Sequence, residues 1–349
     1  MSSNTATIPD IARHAGVGTA TVDRVLNKRS GVNAETTQKV MDAVKALGEP
    51  TVLRGRPRQR GGFRFAYVLP DGNIPFFDKM ERLIAQTAGD FRHQHITEVT
   101  HRLNAEDPAN FAADLSQISD CDGIVLVAPD VPAVKLAINT LVRTGVHVVT
   151  LFSDVAGSMR EVFIGADNRA AGRTAGLLLA RMAAPPQRDT LLLLSQATRM
   201  SGEIERRIGF AQVLEERFPR LKAVQLLDLP ADEAGVCQAL GRTLTHGLDR
   251  VRLAGAYSVG MGTAGIVQAF AALPPEAGAG HLPGLIVHDF TEANQALLIN
   301  GALSYVLHQD IHYCVLTAAR VLRGLCENVR GALNVVQPRV EILTAENLH

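Results

Sequence analysis

The sequence predicts an α/β protein with a small helical head on a helix-turn-helix, followed by two doubly wound subdomains with parallel sheets. Three observations carry this. Residues 8–27 space apolar side chains at helical intervals around a central glycine. From Phe63 onward, short aliphatic runs alternate with helical patterns. Between them runs Arg54-Gly-Arg-Pro-Arg-Gln-Arg-Gly-Gly62, punctuated by Pro and Gly and lacking an apolar face.

In the head, Ile8, Ile11 and Ala12 form one helical face, and Gly16 supplies a turn free of Cβ strain. Thr19 reads as the N-cap of a second helix whose inward face is Val22, Val25 and Leu26. A third helix runs from Ala34 or Glu35 to about Leu47, with Val40, Ala43, Val44 and Leu47 as its buried stripe. Gly48-Glu49-Pro50 ends it. A second helix held in this way can lie in a DNA major groove. The head is therefore 1–49, the basic linker 50–62 and the body 63–349.

In the body, strand patterns fall at 63–69, 96–102, 123–128, 147–152 and 162–165. A second set falls at 190–195, 222–228, 253–258, 283–288 and 303–307, with a late apolar segment near 334–343. Helical patterns at 77–90, 109–117, 131–144, 168–183, 203–217, 231–246, 262–272 and 311–328 fill the gaps. Runs such as Gly-Ile-Val-Leu-Val and Thr-Leu-Leu-Leu-Leu are apolar on both faces, as in parallel sheets covered on both sides. So many strands suit two subdomains better than one open sheet. We expect these to be roughly 63–165 with part of 290–335, and 166–289 with the C-terminal segment.

The formal charge is zero, but residues 1–62 hold ten Lys and Arg against five acids. A basic head on a mildly acidic body suits a protein that places one end on a polyanion. The four cysteines (Cys121, Cys237, Cys314, Cys326) form no C-x-x-C pair and read as small core residues of a reducing compartment. His93, His95 and His101 are poorly spaced for a metal site, and no cofactor is expected. The first residues lack an apolar h-region and no apolar run is long enough to cross a bilayer, which points to the cytoplasm.

Doubly wound sheets bind ligands beyond the carboxyl ends of their strands. There stand Asp71, Asn73, Phe76, Phe77, Asp154, Asp167, Asn168, Arg206, Ser258, Asp289, Gln309 and Asp310. Singly, each has an ordinary alternative: an Asp at a strand end caps a helix, and Phe76 and Phe77 suit a core. Together they offer carboxylates, amides, a guanidinium and aromatic faces, a set suited to a sugar or polyol. Arg206 leaves a sugar acid open.

Asp10-Ile-Ala-Arg-His-Ala-Gly-Val-Gly18, Thr21-Val-Asp-Arg-Val-Leu-Asn27, Glu35-Thr-Thr-Gln-Lys-Val40 and Ala46-Leu-Gly48 resemble the lactose-repressor (LacI/GalR) family of bacterial regulators. Pro75-Phe-Phe77, Gly165-Ala-Asp-Asn-Arg-Ala-Ala-Gly-Arg173, Arg206-Arg-Ile-Gly-Phe210 and His288-Asp289 extend the resemblance over nearly the whole chain. It implies a lambda-repressor-like three-helix head and a type I periplasmic-binding-protein-like sensor. It further implies a repressor that acts as a homodimer on paired DNA half-sites and whose operator affinity is set allosterically by a small effector. Thr19, Ala20 and Arg24 would then read bases, flanked by Thr21, Asp23 and Asn27. Phe76, Phe77, Asp167, Asn168, Arg206, Ser258, Asp289 and Gln309 would face the effector.

Three departures from the family pattern stand out. Asp23 occupies the place of a usual serine, where it either accepts from a cytosine amino group or is a buried or Arg24-paired carboxylate. Ser258 replaces a usual polar pair. The linker lacks the pattern of a hinge helix, and Arg54, Arg56 and Arg58 instead resemble an AT-hook core. That segment either enters a narrow minor groove or serves as a solvated tether. Two other functions compete. Gly260-Met-Gly-Thr-Ala-Gly265 is a literal G-x-G-x-x-G, so an NAD(P)-dependent oxidoreductase is one alternative. A sugar-binding transport component with the same body is the other, and the head argues against it.

Overall fold

The computed structural model describes residues 8–26, 32–47, 62–72, 74–91, 95–118, 120–183, 188–247, 252–260, 262–272, 284–329 and 331–348. The chain divides into two compact units, Met1–Arg58 and Gln59–His349.

The first unit holds α1 (Ile8–Ala15), α2 (Thr19–Leu26) and α3 (Ala34–Leu47). Ile11, Ala12, Val22, Val25, Val40, Ala43 and Val44 bury one another in a small core. Gly16 has φ +65, and the Val17 amide reaches back to the Ala12 carbonyl at 3.0 Å. That six-to-one bond across a left-handed residue ends α1 and aims α2. Thr19 is not the N-cap expected. The Gly18 carbonyl accepts from the amides of Thr21 (2.9 Å) and Val22 (3.2 Å), so Gly18 caps α2 and Thr19 is its first residue. At α3 the cap is Asn33, whose Oδ1 accepts from the Thr36 amide at 2.8 Å.

The second unit contains two sheets. The first orders its strands β2-β1-β3-β4-β5, from β1 (Phe63–Pro70), β2 (Ile96–Leu103), β3 (Gly123–Leu126), β4 (His147–Leu151) and β5 (Val162–Ile164). All of its pairings are parallel. Helices α4 (Pro75–Phe91), α5 (Pro108–Gln117) and α6 (Pro132–Arg143) connect them. Near-continuous apolar strands become buried strands here, since helices cover both faces.

The second sheet runs β11-β10-β9-β8-β6-β7. Its strands are β6 (Thr190–Gln196), β7 (Lys222–Leu229), β8 (Leu253–Ser258), β9 (Gly284–His288), β10 (Tyr305–His308) and β11 (Glu341–Leu343). Only the β10/β11 pair among these is antiparallel. The helices are α7 (Asn168–Met182), α8 (Ser201–Arg217), α9 (Glu233–His246), α10 (Thr263–Ala271), α11 (Glu292–Ile299) and α12 (Ile311–Cys326).

The chain passes between the lobes between β5 and α7, between β10 and α12, and between α12 and β11. Helix α12 packs against β1, β3, β4 and β5, placing Cys314, Val315 and Leu322 in the first lobe's core. Of 290–335, the part that joins the first lobe is therefore α12, while α11 and β10 belong to the second. Helix α11 was not singled out in the sequence because it is short and its apolar residues are not gathered on one face, Leu298 alone among them being buried.

Candidate DNA-binding face and effector cleft

In the head, Thr19, Ala20 and Arg24 are exposed and Thr21 half-buried, while Val22 and Val25 turn inward. The side chain of Asp23, and Asn27, Arg54, Arg56 and Arg58, lie outside the described residues. The core thus uses one face of α2 and leaves the opposite face to solvent, as a recognition helix requires.

In the second unit, the carboxyl ends of the two sheets meet across a cleft. Two glycines fix its second-lobe wall. A Cβ on Gly172 would lie 1.9 Å from the Arg206 carbonyl, and one on Gly209 would lie 2.1 Å from the Arg169 carbonyl. Helices α7 and α8 therefore cross at backbone contact, which seats Arg206 against Asn168. Arg206 Nε donates to Asn168 Oδ1 and its Nη1 to the Val259 carbonyl, both at 2.8 Å. Asn168 Nδ2 crosses to the first lobe and donates to the Phe152 carbonyl at 2.9 Å. Gln309 Oε1 takes the Ala166 amide at 3.3 Å.

Asp289 follows β9 at φ +68. Its backbone is tied down by an amide bond to the Leu307 carbonyl and by Asn294 Nδ2 on its own carbonyl. Its Oδ1 is buried with no hydrogen-bond partner among the described residues. Burial raises its carboxyl above the usual range, against the opposing pull of Arg206 and Lys79. Burial likewise raises Glu203, again opposed by Arg206. Ser258 is buried at the end of β8 and engaged by its surroundings.

Two expected ligand residues already have structural partners. Asp167 caps α7, accepting the Ala170 amide at 2.9 Å, and is exposed. Asp154 accepts from Thr150 (2.8 Å), the Val155 amide (2.9 Å) and both Nε and Nη2 of Arg160 (2.6 and 2.5 Å). Burial acts to raise its carboxyl, but these partners hold it below the usual range. Phe76 makes edge-to-face contacts with Phe77 (5.2 Å) and Phe152 (5.1 Å) and packs on the first lobe's core. Asp71 is exposed, Asp310 caps α12, and Asn73 lies outside the described residues.

Several cleft groups were not among the expected ligand residues. Lys79, on α4 three residues after Phe76, donates across the cleft to the Phe290 carbonyl at 2.7 Å and lies 5.2 Å from that ring's centre. Its helical spacing from Phe76 was the available signal. The His288 ring meets Tyr257 Oη at 2.6 Å, and burial holds His288 well below its usual pKa. His308 Nδ1 accepts the Phe290 amide at 3.4 Å. Burial, and then the Lys79 ammonium, push its pKa down to about 4.

The lobes touch. The Asp130 amide donates to the Arg199 carbonyl at 2.9 Å, and Ser201 Oγ donates to the Asp154 carbonyl at 2.6 Å. Between Asn168, Arg206, His288, His308 and Gln309 remains a cavity of about 10 Å³, room for a water molecule. A cavity of that size has no room for a monosaccharide. A groove of about 360 Å³ between α8 and β7, lined by Leu214, Glu215 and Leu221, lies away from these polar groups.

The glycine motif has its own explanation. The amide of Gly265, near the start of α10, donates to Glu233 Oε2 at 2.5 Å. A Cβ at Gly265 would lie 2.1 Å from the Glu233 carbonyl. The last glycine thus serves the α9–α10 contact, and the chain's own carboxylate takes an amide that a pyrophosphate would need. Among the described residues no cluster of His, Cys, Asp or Glu could hold a metal, and no helix is long and apolar enough to cross a membrane.

Fold and cleft define a class: a two-lobed α/β binding body following a helix-turn-helix head. Residues 65–328 match the periplasmic binding protein domain, and residues 7–48 match bacterial regulatory proteins of the lacI family. The chain belongs to the lacI family of bacterial regulators, with a periplasmic-binding-protein body. It is 57% identical over 126 residues to the transcriptional repressor PurR of Mannheimia succiniciproducens, covering 36% of this chain and 37% of that one. It is 29% identical over 127 residues to the ribose operon repressor of Halalkalibacterium halodurans, covering 36% and 38%. The matched stretches span less than two fifths of either relative's length. A solute-binding protein of an ABC transporter from Burkholderia graminis, solved with D-arabinose, has a TM-score of 0.70 at 17% identity, covering 83% of this chain and 98% of that one. That likeness is one of fold.

Proposed function

We propose that this chain is a sequence-specific DNA-binding repressor whose operator affinity is controlled by a sugar or polyol bound between the lobes. The carrying observation is the exposed Thr19–Ala20–Arg24 face of α2, set at its angle by the Gly16 turn. The cleft supports the second half of the reading. Asp289 Oδ1 is a buried acceptor without a donor among the described residues, so a ligand hydroxyl satisfies it, while a further N–H of Arg206 can donate to that hydroxyl's oxygen. Phe76 and Phe77 supply apolar surface nearby. The ribose operon repressor among the relatives agrees with a polyhydroxyl effector.

In this mechanism the closed juxtaposition seen here exchanges with an open one, and the effector shifts the balance by binding one of them better. Two copies of the chain place paired heads on two half-sites, and closure alters their spacing or order. Effector and operator then change each other's affinity by the same factor. Arg54, Arg56 and Arg58 anchor the linker in the minor groove. The protein acts in the cytoplasm, where its operator is.

The test has two stages. A thermal-shift screen with sugars, polyols and sugar acids identifies the effector, because a ligand of the native state raises its melting temperature. Operator sites selected from random duplexes are then titrated at fixed salt with and without that compound. A several-fold change in operator affinity is expected. Selection of no preferred sequence, or an operator affinity indifferent to a compound that stabilises the protein, refutes the reading.

A further inference from the structure

Phe152, immediately after β4, has φ +58. A phenylalanine there is strained, because its Cβ crowds the adjoining carbonyl. The Ser153 amide bends back to the Leu151 carbonyl at 2.5 Å, making a γ-turn of the rare positive-φ sense centred on Phe152. Such a conformation persists only where its surroundings over-determine it. Two bonds do so from either side of the peptide. The Phe152 amide donates to the Ile164 carbonyl at 3.1 Å, within the first lobe. Its carbonyl is gripped by Asn168 Nδ2 at 2.9 Å, and Asn168 opens α7 of the second lobe.

The same amide group holds Arg206 Nε through Oδ1 at 2.8 Å. One planar group thus joins the cleft arginine of one lobe to the strained turn of the other. The residues after the turn form the seam between lobes. Ser153 Oγ lies 3.2 Å from Ser201 Oγ and accepts the Gly202 amide at 3.4 Å. A Cβ on Gly202 would lie 2.8 Å from the Phe152 carbonyl oxygen and 3.0 Å from Asn168 Nδ2, so α8 seats here only with glycine.

We propose that Asn168 is a positioning residue that couples the set of the Arg206 guanidinium to the Phe152 turn, and through it to lobe closure. A shift of Arg206 pulls on Oδ1, rotates the amide and changes its grip on the Phe152 carbonyl. The Ser153–Ser201 seam follows the turn. Only the trigger rests on the proposed function, in that a ligand is what moves Arg206. The coupling itself belongs to the protein alone and is tested without ligand.

The test is hydrogen exchange on the full-length chain. Asn168→Asp keeps an acceptor for Arg206 but replaces the donor to the Phe152 carbonyl with a carboxylate oxygen. It should raise exchange about tenfold in peptides covering 151–154 and 199–203, the effect of one lost hydrogen bond. Peptides from α12 and β3 serve as internal controls and should be unchanged. Phe152→Gly removes the strain, since glycine adopts positive φ without penalty. In that background Asn168→Asp should change seam exchange less than about threefold, a rescue that a merely structural asparagine would not give. Folding of N168D only in the F152G background supports the proposal equally. Seam exchange within twofold of wild type in N168D overturns it. So does an equal N168D effect in both backgrounds, or failure of N168D to fold in either. A null sugar screen with a positive exchange result would reject the ligand reading and leave the coupling standing.

Discussion

His308→Gln should make the body more resistant to acid. His308 accepts the Phe290 amide on Nδ1, so the folded protein uses its neutral ring. Burial, reinforced by the Lys79 ammonium and opposed by Asp310, puts its folded pKa at about 4, against an ordinary value of 6.5. At pH 7.5 the ring is neutral in both folded and unfolded chains and contributes nothing to pH dependence. As pH falls below 6.5 the unfolded chain takes up a proton that the folded one refuses, and stability drops until pH passes about 4. By pH 4.5 this costs the wild type about 2–3 kcal/mol. Asp289 and Glu203, with raised pKa values, act in the opposite sense, but they are common to both proteins and cancel in the comparison. Urea unfolding followed by circular dichroism at pH 7.5 and 4.5 gives the difference between wild type and variant at each pH. That difference should move about 2–3 kcal/mol in the variant's favour on acidification. A movement below about 1 kcal/mol would refute the argument that the closed cleft excludes a proton from His308.

Three further outcomes follow from the geometry. Gly209→Val drives side-chain atoms into the Arg169 carbonyl and should cost several kcal/mol, on the order of 3, seen as a lower unfolding midpoint; an unchanged midpoint would mean that α7 and α8 do not cross at backbone contact. Glu233→Ala frees the Gly265 amide yet should give no NAD(P) binding by fluorescence titration, and tight binding by the variant or the wild type would revive the oxidoreductase alternative. Arg24→Ala should lower affinity for a selected operator about tenfold more than for random duplex, from a contact of about 1–3 kcal/mol; equal losses would make Arg24 a phosphate contact rather than a base reader.

The head was legible in the sequence because its logic is local. Gly16 must turn and Val22 must face inward, and both follow from spacing within some twenty residues. Even there, capping went to the Gly18 carbonyl rather than to Thr19, since backbone geometry and not side-chain type decides which residue is half outside a helix. The alternating strands and helices of the body were legible for the same reason, as apolar periodicity is imposed by the layer each element must cover.

Site residues were legible only as a set placed beyond strand ends. Which members of that set remain free for a ligand depends on the loop and cap geometry that the fold gives them. Asp154 is spent on Arg160 and Thr150, and Asp167 on a helix cap, while Asp289 keeps a buried oxygen unused. The G-x-G-x-x-G pattern misleads for the same reason, because nothing local reveals that Glu233 will occupy its amide. The sequence by itself determined the class of protein: a helix-turn-helix head and a doubly wound body, both written in short-range periodicity. The tertiary structure decided the membership of the cleft, the passage of α12 to the first lobe and the link from Arg206 through Asn168 to Phe152. Hydrogen bonds between residues 16 to 211 positions apart set the cleft and that link, apolar packing carries α12 across, and a buried polar group is satisfied by whatever the fold brings beside it.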